Sequence, residues 1–93
     1  MDSRQSFGKS LRLVRTAKGL TQEDFSTVSS RTYLSTLERG LKSPTLDKIE
    51  ALCDTLDVHP LSLLVLTYLH TQKNKRLDSL LKKIEKEVKA LQQ

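Results

Sequence analysis

The side chains of this chain best suited to chemistry are hydrogen-bonding groups gathered between Gln22 and Ser43, and the chemistry they suit is recognition of a polar, anionic surface. In the stretch Gly19 to Gly40, GLTQEDFSTVSSRTYLSTLERG, the spacing predicts two short helices across a tight turn. Leu34 and Leu37 mark the inward face of the second, so Arg31, Thr32, Ser35, Thr36 and Arg39 fall on its other sides. A helix that enters the major groove of double-stranded DNA needs small hydrogen-bonding residues near its N-terminus. Bulky apolar groups would clash there, and carboxylates would meet phosphates. The other reactive types are scattered. His59 and His70 stand apart with no convergent carboxylates, and the chain has a single cysteine, Cys53. That is a poor metal site and a poor catalytic pair, and neither a glycine-rich phosphate loop nor a nucleophile motif accompanies it, so no enzyme activity, metal or cofactor is expected.

The bulk composition agrees with a binding protein. Ninety-three residues allow one compact domain and one appended element. With two Phe, two Tyr and no Trp, the core must be built from Leu, Ile, Val and Ala. The net charge of +5 favours an anionic partner. It is unevenly spread: residues 1–69 hold nine Lys/Arg against eight Asp/Glu, and residues 70–93 hold seven against three. DNA binding by the first part must therefore rest on where its few cations sit. One cysteine excludes an internal disulfide. No stretch approaches the ~18 apolar residues of a membrane span, and the N-terminus lacks an apolar signal region, so a cytoplasmic location and no membrane partner are expected.

The elements that must hold these residues read as helices throughout. Met1 to Gln5 is polar and expected to fray, with Ser6 as the N-cap of a first helix whose apolar residues are Phe7, Leu11 and Val14. Gly19 ends it. Thr21 caps a second helix over about 21–28, with Glu23 and Asp24 in its first turn. Ser30 caps a third over about 30–39, which Gly40 ends, and Thr45 caps a fourth carrying Leu46, Ile49, Leu52, Cys53 and Leu56 on one stripe. Cys53 on that stripe reads as a small core residue. Pro60 suits the first turn of a fifth helix that runs to about Leu69 or His70, Asn74 is a break, and a charged amphipathic helix follows from Lys75 to Leu91. No strand-like alternation occurs, and the class is all-α.

The strings LTQEDF, SRTYLSTLERG and SPTL, with LRLVR before them, resemble the xenobiotic-response-element (Cro/CI, lambda-repressor-like) helix-turn-helix family over roughly Phe7 to Leu69. The resemblance implies a five-helix lambda-repressor-like DNA-binding domain over residues 6–70; the residue pattern adds a C-terminal amphipathic helix over 71–93. The resemblance also implies that Gln22 bonds the DNA backbone and braces the recognition helix. Arg31, Thr32, Ser35 and Thr36 match positions that face base edges, beside Ser30, and Arg39 lies on the same exposed side. Tyr33 lies along the sugar-phosphate wall, and Lys42 and Ser43 match a phosphate-contacting loop. Arg15 and Glu38 match an ion pair tying the first helix to the third. The chain departs from the family pattern between the second and third helices. Phe25 to Ser30 is about two residues short and lacks the turn glycine, so either the second helix loses part of a turn or the turn is rebuilt around serines.

The last two helices point to self-association. Leu61, Leu63, Leu64, Val65, Leu66, Tyr68 and Leu69 spread around more than one face of the fifth helix, so one face can cover the core and another wants a partner. Leu77, Leu81, Ile84, Val88 and Leu91 are spaced four, three, four and three apart, a coiled-coil seam. Leu63 and Leu66 with this seam are the expected oligomerisation residues. The seam joins a larger interface, packs on the fifth helix or folds back on its own domain. The expected function is a sequence-specific transcriptional regulator, a repressor in its simplest form, that binds a palindromic operator as a homodimer or tetramer. No ligand-sensing domain is evident, which leaves control to protein concentration, cooperative assembly or a regulatory protein partner. The rival reading is a protein-interaction module or an antitoxin-like protein that binds a partner through the last two helices.

Overall fold

In a computed structural model of the chain, residues 2–71 and 76–92 are described. Their elements, in order, are α1 (Ser3–Ala17), a 3-10 turn η1 (Gln22–Phe25), α2 (Arg31–Glu38), α3 (Leu46–Leu56), α4 (Pro60–Thr71) and α5 (Leu77–Leu91). No strand occurs among the described residues, and the architecture is all-α. The expected break at Asn74 lies outside the described residues.

Local chemistry sets most of the boundaries. Ser30 and Thr45 start α2 and α3 by accepting from the amides of Tyr33 and Lys48, each at 3.1 Å. The start of α1 differs from the sequence expectation: Asp2, not Ser6, is the N-cap. Its Oδ1 accepts from the Gln5 amide at 2.8 Å while the Gln5 side chain accepts from the Asp2 amide at 3.3 Å. This reciprocal pair satisfies two amides that would otherwise be orphaned, so the helix starts one turn earlier. Ser6 lies inside it, buried.

The second element is also corrected. Instead of an α-helix over 21–28, one 3-10 turn is formed, Gln22–Phe25. Asp24 accepts from both the amide and the hydroxyl of Thr21, and the Phe25 carbonyl then accepts from Val28 and Ser29, both at 2.9 Å. The segment between Thr21 and Ser30 is too short for two α-helical turns and a connection, so it tightens into i to i+3 geometry. Phe25 still reaches the core fully buried, which keeps η1 anchored against α2 and α3.

The core is Phe7, Leu11, Phe25, Leu34, Leu37, Ile49, Leu52, Cys53, Leu56 and Leu63. Helix α1 is its spine, packing most extensively on α4 and next on α2. Against α2 the approach is close: a Cβ on Gly8 would lie 2.4 Å from the Leu37 carbonyl oxygen and 2.6 Å from that of Glu38. Against α4, buried Ser10 meets the last turn through Ser10 Oγ and His70 Nδ1, 2.9 Å apart. At the other end of α2, Gly40 has a φ of +74°, and its Cα sits so near α1 that a Cβ would lie 2.9 Å from the Cα of Gln5. Positive φ and close approach both demand glycine there.

Candidate nucleic-acid interface

Helix α2 is positioned by charge as well as by packing. Arg15 from α1 reaches across to Glu38, Nε to Oε2 at 2.6 Å and Nη2 to Oε1 at 3.0 Å, while Nη1 donates to the Leu20 carbonyl at 3.0 Å. The two side chains are only 13% and 6% exposed, so this forked pair is sheltered from solvent. The hydrogen bond to Glu38 raises the Arg15 pKa, its desolvation opposes that, and the nearby carboxylate charge adds to the rise. Gln22, at the start of η1, donates from Nε2 to the same Glu38 Oε1 at 3.3 Å. One carboxylate therefore ties α1, η1 and α2 together.

With Leu34 and Leu37 turned into the core, α2 presents Arg31 and Thr32 exposed and Ser35 and Thr36 half-buried. Gln22, Arg31, Thr32, Ser35 and Arg39 line one shallow concavity of about 320 Å³. Five of the expected residues are thus brought to one surface. Two others have their side chains partly engaged. The Ser30 oxygen is occupied by the helix cap, and the Thr36 hydroxyl donates to the Thr32 carbonyl at 2.7 Å, leaving its oxygen to accept. In the free protein Arg31 reaches back to Glu23, Nη1 to Oε1 at 3.2 Å, with both side chains 71% exposed. Such a pair is worth ~0–1 kcal/mol in water and yields readily to a phosphate or base.

On α2, half-buried Tyr33 has two ammonium groups near its ring. Lys42 Nζ stands 6.0 Å and Lys48 Nζ 5.3 Å from the ring centroid. Lys42 and Ser43 are exposed in the loop after α2. Lys48 was not expected here from sequence. It lies on α3 but bends back to donate to the Val28 carbonyl at 2.7 Å, closing the shortened turn. The only signal for it is its place three residues after the Thr45 cap, which is weak. Lys9 and Arg12 on α1, one helical turn apart, were missed as well. They share a groove with Arg39 that only the tertiary fold creates.

The expected oligomerisation residues divide. Leu63 is 0% exposed inside the domain's own core, so it cannot contribute to an intermolecular surface. Helix α4 is apolar on every side, and periodicity alone could not assign its faces. Leu66 instead lines an apolar groove with Leu69 of α4 and Leu77 and Leu81 of α5. A second groove nearby, which shares Leu61 and Val65, is lined by Tyr68 of α4 and Leu80 and Ile84 of α5. No residue of α5 is buried: Leu77, Leu81, Ile84, Val88 and Leu91 are between 40% and 84% exposed. Cys53, by contrast, is sealed in the core, and desolvation, with Asp54 adding to it, raises its pKa to about 11, which keeps the thiol protonated and inert. Among the described residues no cluster of His, Cys, Asp or Glu could hold a metal ion, and no helix is long and apolar enough to cross a membrane.

Two short helical elements across a tight turn, the second exposing a polar face beside cations, define a helix-turn-helix protein. The family comparison agrees: a helix-turn-helix family model matches residues 11–63. The chain belongs to this family of DNA-binding transcription regulators. It is 39% identical over 69 residues to the HTH-type transcriptional regulator y4dJ of Sinorhizobium fredii, covering 72% of this chain and 90% of that protein. Among solved structures, the restriction-modification controller protein C.AhdI from Aeromonas hydrophila aligns with a TM-score of 0.60 at 39% identity, over 63% of this chain and 92% of that one. The clp gene regulator ClgR from C. glutamicum aligns with a TM-score of 0.74 at 26% identity, over 80% of this chain and 99% of its own.

Proposed function

We propose that the chain represses transcription by occupying a palindromic operator as a homodimer, with α2 in the major groove. The observation that carries this reading is the concavity joining Gln22, Arg31, Thr32, Ser35 and Arg39 on one side of a helix that Glu38 ties to Arg15 of α1 and Gln22 of η1. Arg31, Thr32, Ser35 and Thr36 face base edges, and the guanidinium of Arg31 can pair with a guanine in two hydrogen bonds. Gln22, Arg39, Lys42 and Ser43 hold phosphates, and Tyr33 lies against the sugar-phosphate wall. Ser30 contributes through its cap and backbone. Residues 6–70 are the DNA-binding unit, whose first helix extends back to Ser3, and 71–93 the oligomerisation element.

Dimerisation is supported by the apolar grooves along α4 and α5 and by the exposed seam of α5. Two α2 helices related by a twofold axis would read half-sites about one turn, ~34 Å, apart. The two grooves adjoin, sharing Leu61 and Val65, and run along different parts of α5, so a second contact, either a tetramer or a regulatory protein, would lie beside the dimer interface. The cytoplasm, where such an operator is reached and the buried thiol stays reduced, is the compartment this reading requires.

The test is selection from a random-sequence duplex library, followed by salt titration of the winner. The expected result is an enriched palindrome bound with a steep salt dependence. Weak binding without enrichment would sink the reading in favour of a protein-interaction or antitoxin-like module, and would send the search to partners of α4 and α5.

A further inference from the structure

We propose that Lys9 and Arg12 of α1, which share a groove with Arg39 of α2, hold a backbone phosphate of the operator beyond the base pairs that α2 faces. The inference rests on the DNA-binding reading above. The groove, of about 430 Å³, is lined by Lys9, Arg12, Leu13 and Thr16 from one helix and by Glu38 and Arg39 from the other. Arg39 also lines the concavity with Arg31, Thr32 and Ser35, so it stands on the ridge between the two. A ligand that runs along one concavity continues into the other, and a sugar-phosphate backbone is such a ligand.

The cations of this groove are uncommitted. Glu38 would repel a phosphate if free, but its two oxygens are taken by Arg15 and Gln22 and its side chain is 6% exposed. Thr16 donates inward, to the carbonyls of Arg12 and Leu13. Three other cations of the domain are engaged: Arg15 by Glu38, Arg31 by Glu23, and Lys48 by the Val28 carbonyl. Among the described residues, Lys9, Arg12 and Arg39 have neither an ion-pair nor a hydrogen-bonding partner for their side chains. Lys9 and Arg12 are separated by three positions on a helix, so their side chains emerge on the same face. Exposed Leu13 beside them offers an apolar wall to a deoxyribose. A segment of acidic protein would satisfy the same charges, but it would have no reason to continue past Arg39 toward the base-reading face.

Each phosphate held by a cation contributes about −0.9 to the slope of log K against log salt on duplex DNA. The double variant Lys9→Ala/Arg12→Ala, titrated on the selected operator, should therefore bind with a slope shallower by between about 0.9 and 1.8, as expected when one or two phosphates are released. Its preference among single-base-pair variants of the operator should not change, and its thermal melt should match the wild type because both side chains are exposed. The control is Lys82→Ala/Lys86→Ala on α5, which removes the same charge far along the chain and should leave the slope unaltered. A Lys9→Ala/Arg12→Ala slope equal to the wild type's overturns the proposal and leaves the groove to a protein segment. An equal drop in the α5 control also overturns it, since the effect would then be net charge. If the wild-type protein selects no operator at all, the DNA-binding reading itself fails, a result told apart from the others before any variant is made.

Discussion

Residues 2–71 and helix α5 are both helical and both rich in leucine, yet they solve the problem of burial in opposite ways. The first region closes ten apolar side chains into a core and ties the reading helix to it with a sheltered ion pair. The second buries no side chain among those described and leaves every seam residue at least 40% exposed, with Leu77, Leu81 and Ile84 lining grooves beside α4. A 15-residue helix in isolation is marginal in water, so α5 depends on tertiary or intermolecular packing. The lesson is a division of labour. On the proposed reading, one region fixes the geometry of the contact surface whatever the protein concentration, and the other functions by association. This predicts that variants in the first change stability independently of concentration, and variants in the second change its dependence on concentration.

The strongest way to break the first region is Glu38→Ala. It strands the Arg15 guanidinium and frees Gln22, and should cost ~3–5 kcal/mol of unfolding free energy in urea denaturation, equally at low and high protein concentration. A loss below about 1 kcal/mol would show the pair to be only superficial. Gly8→Ala attacks the same α1–α2 contact through volume, since the added methyl meets two backbone carbonyls that cannot swing aside. Overpacking of that kind should cost ~1–3 kcal/mol.

Ile84→Ala should leave the fold of the dilute protein intact while weakening self-association by ~1.5–3 kcal/mol for each copy of the side chain that an interface buries. Sedimentation equilibrium measures this directly. An unchanged association constant would mean that the seam of α5 faces something other than a second copy.

Smaller effects test the surface of α2. Glu23→Gln removes the partner of Arg31 at a stability cost under ~1 kcal/mol. It should nonetheless raise affinity for DNA, because it deletes a carboxylate from the contact face and releases the guanidinium. A separate test, of the core rather than the surface, is the pH dependence from Cys53. Its folded pKa of about 11 lies above the ordinary 9.0, so the native state holds a proton that the unfolded chain gives up. This contribution is complete below pH 9.0 and is lost as pH rises through about 11, so stability should fall across that window. Cys53→Ala should flatten that slope, although its own cavity lowers the overall level.

How much of this was legible in the sequence follows from the range of each interaction. The Ser30 and Thr45 caps, the glycine stops and Pro60 act within a few residues, and they placed α2, α3 and α4. The Arg15–Glu38 pair came through the family resemblance, since nothing local joins two residues that far apart, and the fold brings them to 2.6 Å. Asp2 was passed over because a polar N-terminal stretch looks frayed until Gln5 is seen to close the box. The shortened second element announced itself by length, but the outcome, a 3-10 turn closed by Lys48 from α3, depends on a contact 20 residues away. Leu63 misled because α4 is apolar all round, so only the packed structure tells its inner face from its outer one. Lys9 and Arg12 were silent for the same reason: their meaning comes from Arg39 across the groove.

The central claim is that α2 reads bases while the surrounding cations hold the backbone. The most direct test is to titrate wild type and Arg31→Ala against the selected operator and every single-base-pair variant of it. The account predicts a loss of ~1–3 kcal/mol on the operator, together with loss of discrimination at one base pair in each half-site and unchanged preferences elsewhere. A uniform loss across all sequences, with every preference intact, would contradict it and make Arg31 one more phosphate contact.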